Sequence, residues 1–275
     1  MAPPLPRPRK SLGQHFLTDP NIIRKILALA DIQPDETVLE IGPGRGAMTA
    51  LLCRAAKTVV AVEVDRALGA FLAERVADCG NLDLRIQDAL EFPFETLPLN
   101  TVVVANLPYN ISTPILFKLL EARRRFNRLI LMLQREVADR LVAKPGGKTY
   151  GSLSVGIQRW TTATLAFTVS PGCFRPPPEV GSAVVKLVIR RDDGQSPGED
   201  AHLLRIVRAA FAHRRKTLAN SLRDAGLDPA VVASGLAAAG IDGARRAETL
   251  SPDEFVTLAR AIEGHAENGT MNAEG

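Results

Sequence analysis

The chain has 275 residues, of which 46% are hydrophobic and 23% charged, which allows one large domain or a large domain with a small one. No stretch is long enough to span a membrane, and the Pro- and Arg-rich start lacks the apolar core of a signal peptide. The three cysteines lack metal-ligand spacing, so we expect reduced thiols in a cytosolic protein and no metal site. A net charge of +4 favours a polyanionic partner.

The first predicted helix begins after Asp19, which we interpret as its N-cap, with Pro20 at its first position. Apolar residues at helical spacing from Ile22 to Ala30 give this helix one buried face. The polar segment Gly13-Gln14-His15, just upstream, could fold over a ligand. The alternative is a solvated lead-in to the helix.

A glycine-rich turn follows the first predicted strand, residues 37–41. The turn reads Gly42-Pro43-Gly44-Arg45-Gly46, and a helix is predicted from Ala47 to about Ala56. Strand, glycine turn and helix together form the first unit of a Rossmann-like fold, in which glycines let the backbone approach a ligand closely. Ala47 stands where the dinucleotide-binding pattern has its third glycine, so the turn departs from that pattern.

Acidic residues follow the next two predicted strands, residues 58–63 and 82–86. Glu63 lies 21 positions after Gly42, a spacing that suits a carboxylate accepting hydrogen bonds from ribose hydroxyls, although a strand-end surface charge is the alternative. Asp88 could accept the adenine amine of a cofactor. Since the carboxyl ends of parallel strands share one edge, four strand ends bring together Gly42, Glu63, Asp88 and Asn106.

The fourth predicted strand, residues 101–105, ends in Asn106-Leu107-Pro108-Tyr109. An exocyclic amine of a base is a poor nucleophile, because its lone pair is delocalised into the ring. The Asn106 amide oxygen and the backbone carbonyl of Leu107 or Pro108 could accept its two N–H protons, and Tyr109 could stack on a flipped base. The alternative is an ordinary strand-end turn, in which Asn and Pro are common.

Beyond a fifth predicted strand, residues 129–133, two further strands over 164–169 and 183–189 are expected to form an antiparallel pair. The stiff loop between them carries Phe174 before Pro176-Pro177-Pro178. Phe174 could be the second face of a base sandwich opposite Tyr109, or it could be a core residue. Candidate phosphate contacts in this half are basic residues beside turns: Arg123, Arg124, Lys144 and Lys148.

The linker expected over 190–198 separates this part from a wholly helical segment. A basic stripe there, with candidate RNA contacts Arg214, Arg215 and Lys216, contains no acid from Ala201 to Arg223. A capping box, Ser251 to Glu254, is predicted to open a last helix that ends near Ile262. We therefore expect domains at 1–192 and 199–264, with a disordered tail over 265–275.

Six motifs in order resemble those of the rRNA adenine N6-dimethyltransferase family, small-subunit type. They are Gly13-Gln14 with Phe16-Leu17, Glu40–Gly44, Asn106–Pro114, Leu133–Glu136, Phe174–Pro178 and Ser182–Leu187. The resemblance covers roughly residues 10 to 260. It implies an α/β fold with a Rossmann-like S-adenosylmethionine-dependent methyltransferase sheet and a small all-helical C-terminal domain.

The resemblance also implies an activity: dimethylation of two adjacent adenosines in the 3′-terminal hairpin loop of small-subunit rRNA. The implied partner is a pre-30S particle in the cytoplasm, and the protein is expected to be a monomer with no membrane partner. Family cofactor positions correspond to His15, Leu17, Gly42, Gly44, Glu63, Asp88 and Asn106, and catalytic positions to Asn106, Leu107, Pro108, Tyr109 and Phe174. Many members carry Asn where this chain has His15.

Three rival functions remain at this stage. A large-subunit rRNA dimethylase of the macrolide-resistance type shares the catalytic core, although Leu107 and the full proline loop favour the small-subunit type. An assembly factor that only binds RNA would not need the glycine turn, Glu63 and Asn106 together. A nicotinamide dehydrogenase is disfavoured by the missing third glycine.

Overall fold

The computed structural model describes residues 5–190, 197–213 and 215–271. The chain forms two compact units. The first contains the chain up to Asp139 together with Thr161–Arg190, and the second contains Arg140–Trp160 together with the chain from Arg191 onward. Within the described ranges, no helix combines the length and the apolar character that crossing a membrane requires.

The first unit is built on a seven-stranded mixed sheet with a separate two-stranded pair. The strands along the chain are β1 (Phe16–Leu17), β2 (Thr37–Ile41), β3 (Thr58–Glu63), β4 (Leu82–Ile86), β5 (Thr101–Asn106), β6 (Phe126–Gln134), β7 (Thr161–Val169), β8 (Phe174–Arg175) and β9 (Ser182–Ile189). The order in the large sheet is β4-β3-β2-β5-β6-β9-β7, and β1 pairs with β8. The first five strands in this order, β4-β3-β2-β5-β6, are mutually parallel, whereas β9 is antiparallel to both β6 and β7. The Rossmann-like sheet and the antiparallel closing pair are therefore confirmed.

Helices cover the sheet because its central strands are apolar on both faces. Val38, Leu39 and the run Val102–Val104 are wholly buried, as expected of parallel strands packed on both sides. The helices of this unit are α1 (Pro20–Ala30), α2 (Thr49–Ala55), α3 (Arg66–Arg75) and α4 (Ser112–Glu121), and α5 (Arg135–Leu141) crosses the boundary between the units. Asp19 caps α1 by accepting hydrogen bonds from the amides of Asn21 and Ile22, as predicted.

The second unit is helical. It contains α6 (Ser152–Trp160), α7 (Pro197–Ala210), α8 (Leu218–Asp224), α9 (Pro229–Ala238) and α10 (Pro252–Met271). The first unit ends at Arg190, close to the expected boundary, but the expectation that all of residues 1–192 form one domain is corrected: Arg140–Trp160 belongs to the helical unit, where α6 packs on α7 and α10. The Tyr150 hydroxyl donates to the Leu250 carbonyl at 2.9 Å, and the Trp160 indole donates to Asp200 at 3.2 Å.

The capping box that opens α10 is confirmed. The Ser251 amide donates to the Glu254 carboxylate at 2.7 Å, and the Glu254 amide donates to the Ser251 hydroxyl at 3.2 Å. The helix continues to Met271, so its predicted end near Ile262 and the predicted disorder from residue 265 are wrong up to that point. Continuation is possible because no proline follows Pro252 in the chain. The rest of the expected tail, 272–275, lies outside the described residues.

Candidate active site

A cleft of about 720 Å³, open to solvent, lies where β2, β3 and β5 end. Such an edge is where open α/β sheets bind ligands. The segment from Leu12 to Leu17 forms one wall of the cleft, so Gly13-Gln14-His15 does fold over it. Nine predicted site residues line it together: His15, Leu17, Gly42, Gly44, Glu63, Asn106, Leu107, Pro108 and Tyr109.

The glycine turn brings backbone to the cleft in a conformation that side chains rarely adopt. Gly42 and Gly44 have φ of +67° and +57°. A Cβ on Gly44 would lie 3.0 Å from a ring carbon of Phe16, so a side chain there would be both strained and crowded. The Arg45 guanidinium in turn lies 4.3 Å from the centre of the Phe16 ring, a cation–π contact that fixes the N-terminal wall on the turn.

Glu63 connects the glycine turn to the end of β3. Its carboxylate accepts hydrogen bonds from the amides of Gly44 at 3.0 Å and Asp65 at 2.9 Å. Burial raises the pKa of Glu63, although these two amides act in the opposite direction. The carboxylate is thus fixed on the cleft wall with acceptor capacity remaining, which suits the predicted ribose contact.

Glu40 is a site residue that sequence reasoning missed. It lies on β2, lines the cleft and is only 1% exposed. Neither of its carboxylate oxygens makes a hydrogen bond of ordinary geometry among the described residues. Burial raises the pKa of Glu40 to about 8 and the nearby charge of Glu63 adds to this, whereas the neighbouring Thr49 hydroxyl acts in the opposite direction. The signal in the sequence is an acid inside the apolar run Val38-Leu39-Glu40-Ile41.

The Asn106 side chain is held by the N-terminal wall. Its Nδ2 donates to the His15 carbonyl at 3.0 Å, which leaves Oδ1 as the acceptor for a ligand. The Pro108 carbonyl accepts the Ile111 amide at 3.2 Å and closes a turn. The Pro108 carbonyl keeps a second lone pair, so both carbonyls considered from sequence stay candidate acceptors for the second N–H group.

The Tyr109 ring is half-buried, and two contacts fix its position. Its hydroxyl shares a 2.6 Å hydrogen bond with the Ser182 hydroxyl at the start of β9. The His15 ring stacks on it with centroids 5.4 Å apart and planes inclined by 27°. Burial raises the pKa of Tyr109, so the ring is an uncharged phenol at neutral pH. It is a suitable platform for a flat ligand.

Phe174 was predicted to grip a base, but in this structure its ring lies in the core and not in the lining of the cleft. Its ring is 0% exposed and belongs to a hydrophobic cluster with Leu17 and Ile23. The reason is the pairing of β8 with β1, which sets Phe174 opposite Leu17. Asp88 is also outside the cleft lining. Asp88 lies two positions after Ile86, where the register between β3 and β4 ends, and its carboxylate accepts the Leu90 amide at 2.8 Å.

The basic residues proposed from sequence fall into three groups. Arg123 is only 7% exposed and donates to the Leu120 carbonyl, so its prediction as a surface phosphate contact is corrected. The remaining described residues are all exposed: Arg124, Lys144, Lys148, Arg215 and Lys216. The Lys216 ammonium also forms an ion pair with Asp224. Arg214 lies outside the described residues.

Comparison with known proteins agrees with this site. The sequence model of the family described as ribosomal RNA adenine dimethylase matches residues 6–263. A protein from Moorella thermoacetica named ribosomal RNA small subunit methyltransferase A is 44% identical, over 93% of each chain. One of the same name from Syntrophotalea carbinolica is 46% identical, over 94% of this chain and 98% of the relative.

Two solved structures extend the comparison. A dimethyladenosine transferase from Plasmodium falciparum superposes with a TM-score of 0.78 at 27% identity, over 89% of this chain and 96% of the other. The 23S rRNA methyltransferase ErmE gives a TM-score of 0.68 at 25% identity, over 90% and 99%.

Fold, cleft and neighbours thus define a Rossmann-like, S-adenosylmethionine-dependent methyltransferase. The family match covers nearly the whole chain and the relatives align end to end. The chain belongs to the ribosomal RNA adenine dimethylase family.

Proposed function

We propose that this protein dimethylates N6 of two adjacent adenosines in the 3′-terminal hairpin loop of small-subunit rRNA. It would act as a cytoplasmic monomer on a pre-30S particle. The observation that carries the proposal is the arrangement of Asn106, whose Nδ2 is occupied by the His15 carbonyl so that Oδ1 is the acceptor, beside the Tyr109 ring. The names of the relatives, which specify the small ribosomal subunit, favour this substrate.

The cleft fits S-adenosylmethionine on its own chemistry. The glycine turn has no Cβ where a ligand must approach, and the Glu63 carboxylate can accept hydroxyl protons. The Glu40 carboxyl lies in the same cleft, and a cationic ligand bound there would favour its ionised form. When bound, S-adenosylmethionine would supply a methyl group whose bond to the positively charged sulfur breaks as the N–C bond forms, which leaves a neutral thioether.

The chain's own residues prepare the adenine amine. Oδ1 of Asn106 and the Leu107 or Pro108 carbonyl accept hydrogen bonds from its two N–H groups. These bonds localise the nitrogen lone pair and orient it towards the methyl group. Tyr109 covers one face of the flipped base. When the new N–C bond forms, the nitrogen loses a proton to solvent. In the second round the monomethylated amine has one N–H left, so a single acceptor is enough.

Binding to the RNA backbone is assigned to exposed cations of the helical unit: Lys144, Lys148, Arg215 and Lys216. Arg214, outside the described residues, belongs to the same basic stripe in the sequence. Such contacts predict an affinity that falls steeply with salt.

The test is a methyl-transfer assay with tritiated S-adenosylmethionine. Small subunits lacking these methyl groups and large subunits serve as substrates, and rRNA is digested to identify dimethyladenosine. We expect label on small-subunit rRNA, and a loss of about 10²–10³ in kcat for Asn106→Ala, as for other preorganised polar groups. Asn127→Ala, which changes an exposed Asn at the start of β6, is the matched control and should keep full activity.

Two outcomes would contradict the proposal. Label found only on the large subunit would place the protein with the enzymes that act on 23S rRNA, such as the structural neighbour ErmE. Tight binding of small subunits without any label would make it an assembly factor.

A further inference from the structure

His15 is the aromatic side chain that touches Tyr109 in the cleft. Its ring centroid lies 5.4 Å from that of Tyr109, and the two planes are nearly parallel. Phe174, the residue that the family resemblance assigns to the second face of the base, is wholly buried. The two rings that meet at the cleft wall therefore come from the N-terminal segment and from the loop after β5.

The backbone of His15 is fixed, whereas its ring makes one polar contact with the part of the chain that the structure describes. The His15 carbonyl accepts the Asn106 amide, and the next two residues pair with Phe174 and Arg175. The ring makes a 2.9 Å hydrogen bond to the Pro176 carbonyl at a solvent-exposed position. Side-chain rotation can thus move the imidazole off Tyr109 without disturbing the backbone that orients Asn106.

The separation of the rings shows that they are in direct contact, as in an offset stack. A base that stacks on this face of Tyr109 must displace the imidazole, which then lies against the far side of the base. Histidine is one of the side chains on which unstacked bases stack in RNA–protein complexes.

We propose that His15 is the second stacking residue for the target adenine, and that its ring occupies the Tyr109 face until the base arrives. This inference rests on the proposed function and refines it. It gives the His15 side chain to the base, whereas the family resemblance gives it to the cofactor. The backbone carbonyl of His15 keeps its separate task of fixing the Asn106 amide.

The test compares His15→Ala, which removes the ring, with His15→Phe, which keeps an aromatic ring. The probe is an RNA hairpin with 2-aminopurine at one of the two adjacent adenosines. Bound to wild-type protein, 2-aminopurine should stay quenched because both its faces are covered. His15→Ala should raise its emission several-fold, and His15→Phe should restore quenching.

Kinetics and cofactor affinity complete the test. For His15→Ala we expect kcat/KM for RNA to fall by about tenfold, within the range for one stacking side chain, with an unchanged Kd for S-adenosylmethionine. Equal emission and equal kcat/KM in wild type and His15→Ala would overturn the inference. So would a parallel loss of cofactor affinity, or a His15→Phe variant that behaves like His15→Ala.

The fluorescence measurement needs no turnover, so the two proposals fail separately. A protein that quenches 2-aminopurine through His15 but transfers no methyl group to small-subunit rRNA would support the stacking role and overturn the proposed function. Methylation of small-subunit rRNA that is insensitive to His15→Ala would do the reverse.

Discussion

Tyr109 and Phe174 are both aromatic residues close to a proline in the sequence, and both were expected to hold a base. Tyr109 is half-buried at the cleft, and its hydroxyl is bonded to Ser182. Phe174 is fully buried among apolar side chains. The phenol needs a polar partner and so keeps one end of its ring at a polar surface, whereas a phenyl ring has no such requirement and can enter the core.

The surroundings of the two rings also differ in polarity. The Tyr109 cleft contains two buried carboxyls, Glu40 and Glu63, whose charged forms are disfavoured by burial. The Phe174 ring packs among the apolar side chains of the core. The cleft should therefore reduce the free energy of unfolding, and the Phe174 segment should increase it.

The largest expected effect is on the Phe174 side. Phe174→Ala should lower the free energy of unfolding by about 3–5 kcal/mol, because it leaves a cavity in a packed cluster. Urea denaturation measures this loss. Leu99→Ala, at a position that is 65% exposed, is the control and should change stability by no more than about 0.5 kcal/mol. A stable Phe174→Ala protein that has lost RNA binding would instead return Phe174 to the base-binding site.

Glu40 provides the opposite test on the cleft side. Its pKa is about 8 in the folded chain and 4.5 in the reference state, so the folded state binds more protons between these values. Wild-type stability must then fall as pH rises through this window, by up to about 1.4 kcal/mol per pH unit from this group. Glu40→Gln removes this dependence.

Between pH 6 and 7.5 the stability of Glu40→Gln relative to wild type should rise by about 2 kcal/mol. Denaturation series at the two pH values measure it. The groups near Glu40 that titrate are Glu63 and Cys53, and both are unchanged in the variant. A difference that stays constant with pH would show that Glu40 is already ionised in the folded protein.

The smallest effect concerns how Tyr109 is held. Tyr109→Phe keeps the ring and removes the bond to Ser182, which should cost about 1 kcal/mol of stability and leave most of the methyl transfer. Ser182→Ala should have a similar cost, and the double variant little more than either alone. Additive losses in this double-mutant cycle would show that the hydroxyl contact is not energetically significant.

The sequence was sufficient for the sheet because its central strands are continuous apolar runs, such as Val102–Val104, and their polar ends must share one edge. It was also sufficient for the caps at Asp19 and Ser251, which depend on neighbouring residues only. Local patterns could not show the pairing of β1 with β8, because each strand has two residues and they lie more than 150 positions apart. The burial of Phe174 follows from that pairing.

The cleft was predicted where a single strand end supplies the group, as for Glu63 and Asn106. Glu40 escaped prediction because an acid within a strand does not show which way it faces until the sheet is packed. The burial of Arg123 was also missed. A basic cluster at a helix end is expected to be exposed, but the Arg123 guanidinium folds back onto the Leu120 carbonyl of the preceding helix. The sequence also did not show that residues 140–160 belong to the helical unit, because this depends on contacts such as the one between Tyr150 and Leu250, which are 100 residues apart.

The packing of α6 on α7 and α10 also affects how the chain folds while it is being synthesised. Helix α6 carries the buried residues Leu153, Ile157 and Trp160 and packs on α7 and α10, and α10 begins at Pro252. At typical rates of synthesis, of about 5–20 residues per second, the ribosome adds the missing segment over several seconds. During that time α6 is a nascent apolar helix without its partners, so a chain truncated before α10 should aggregate or be degraded even though every residue of the cleft is present.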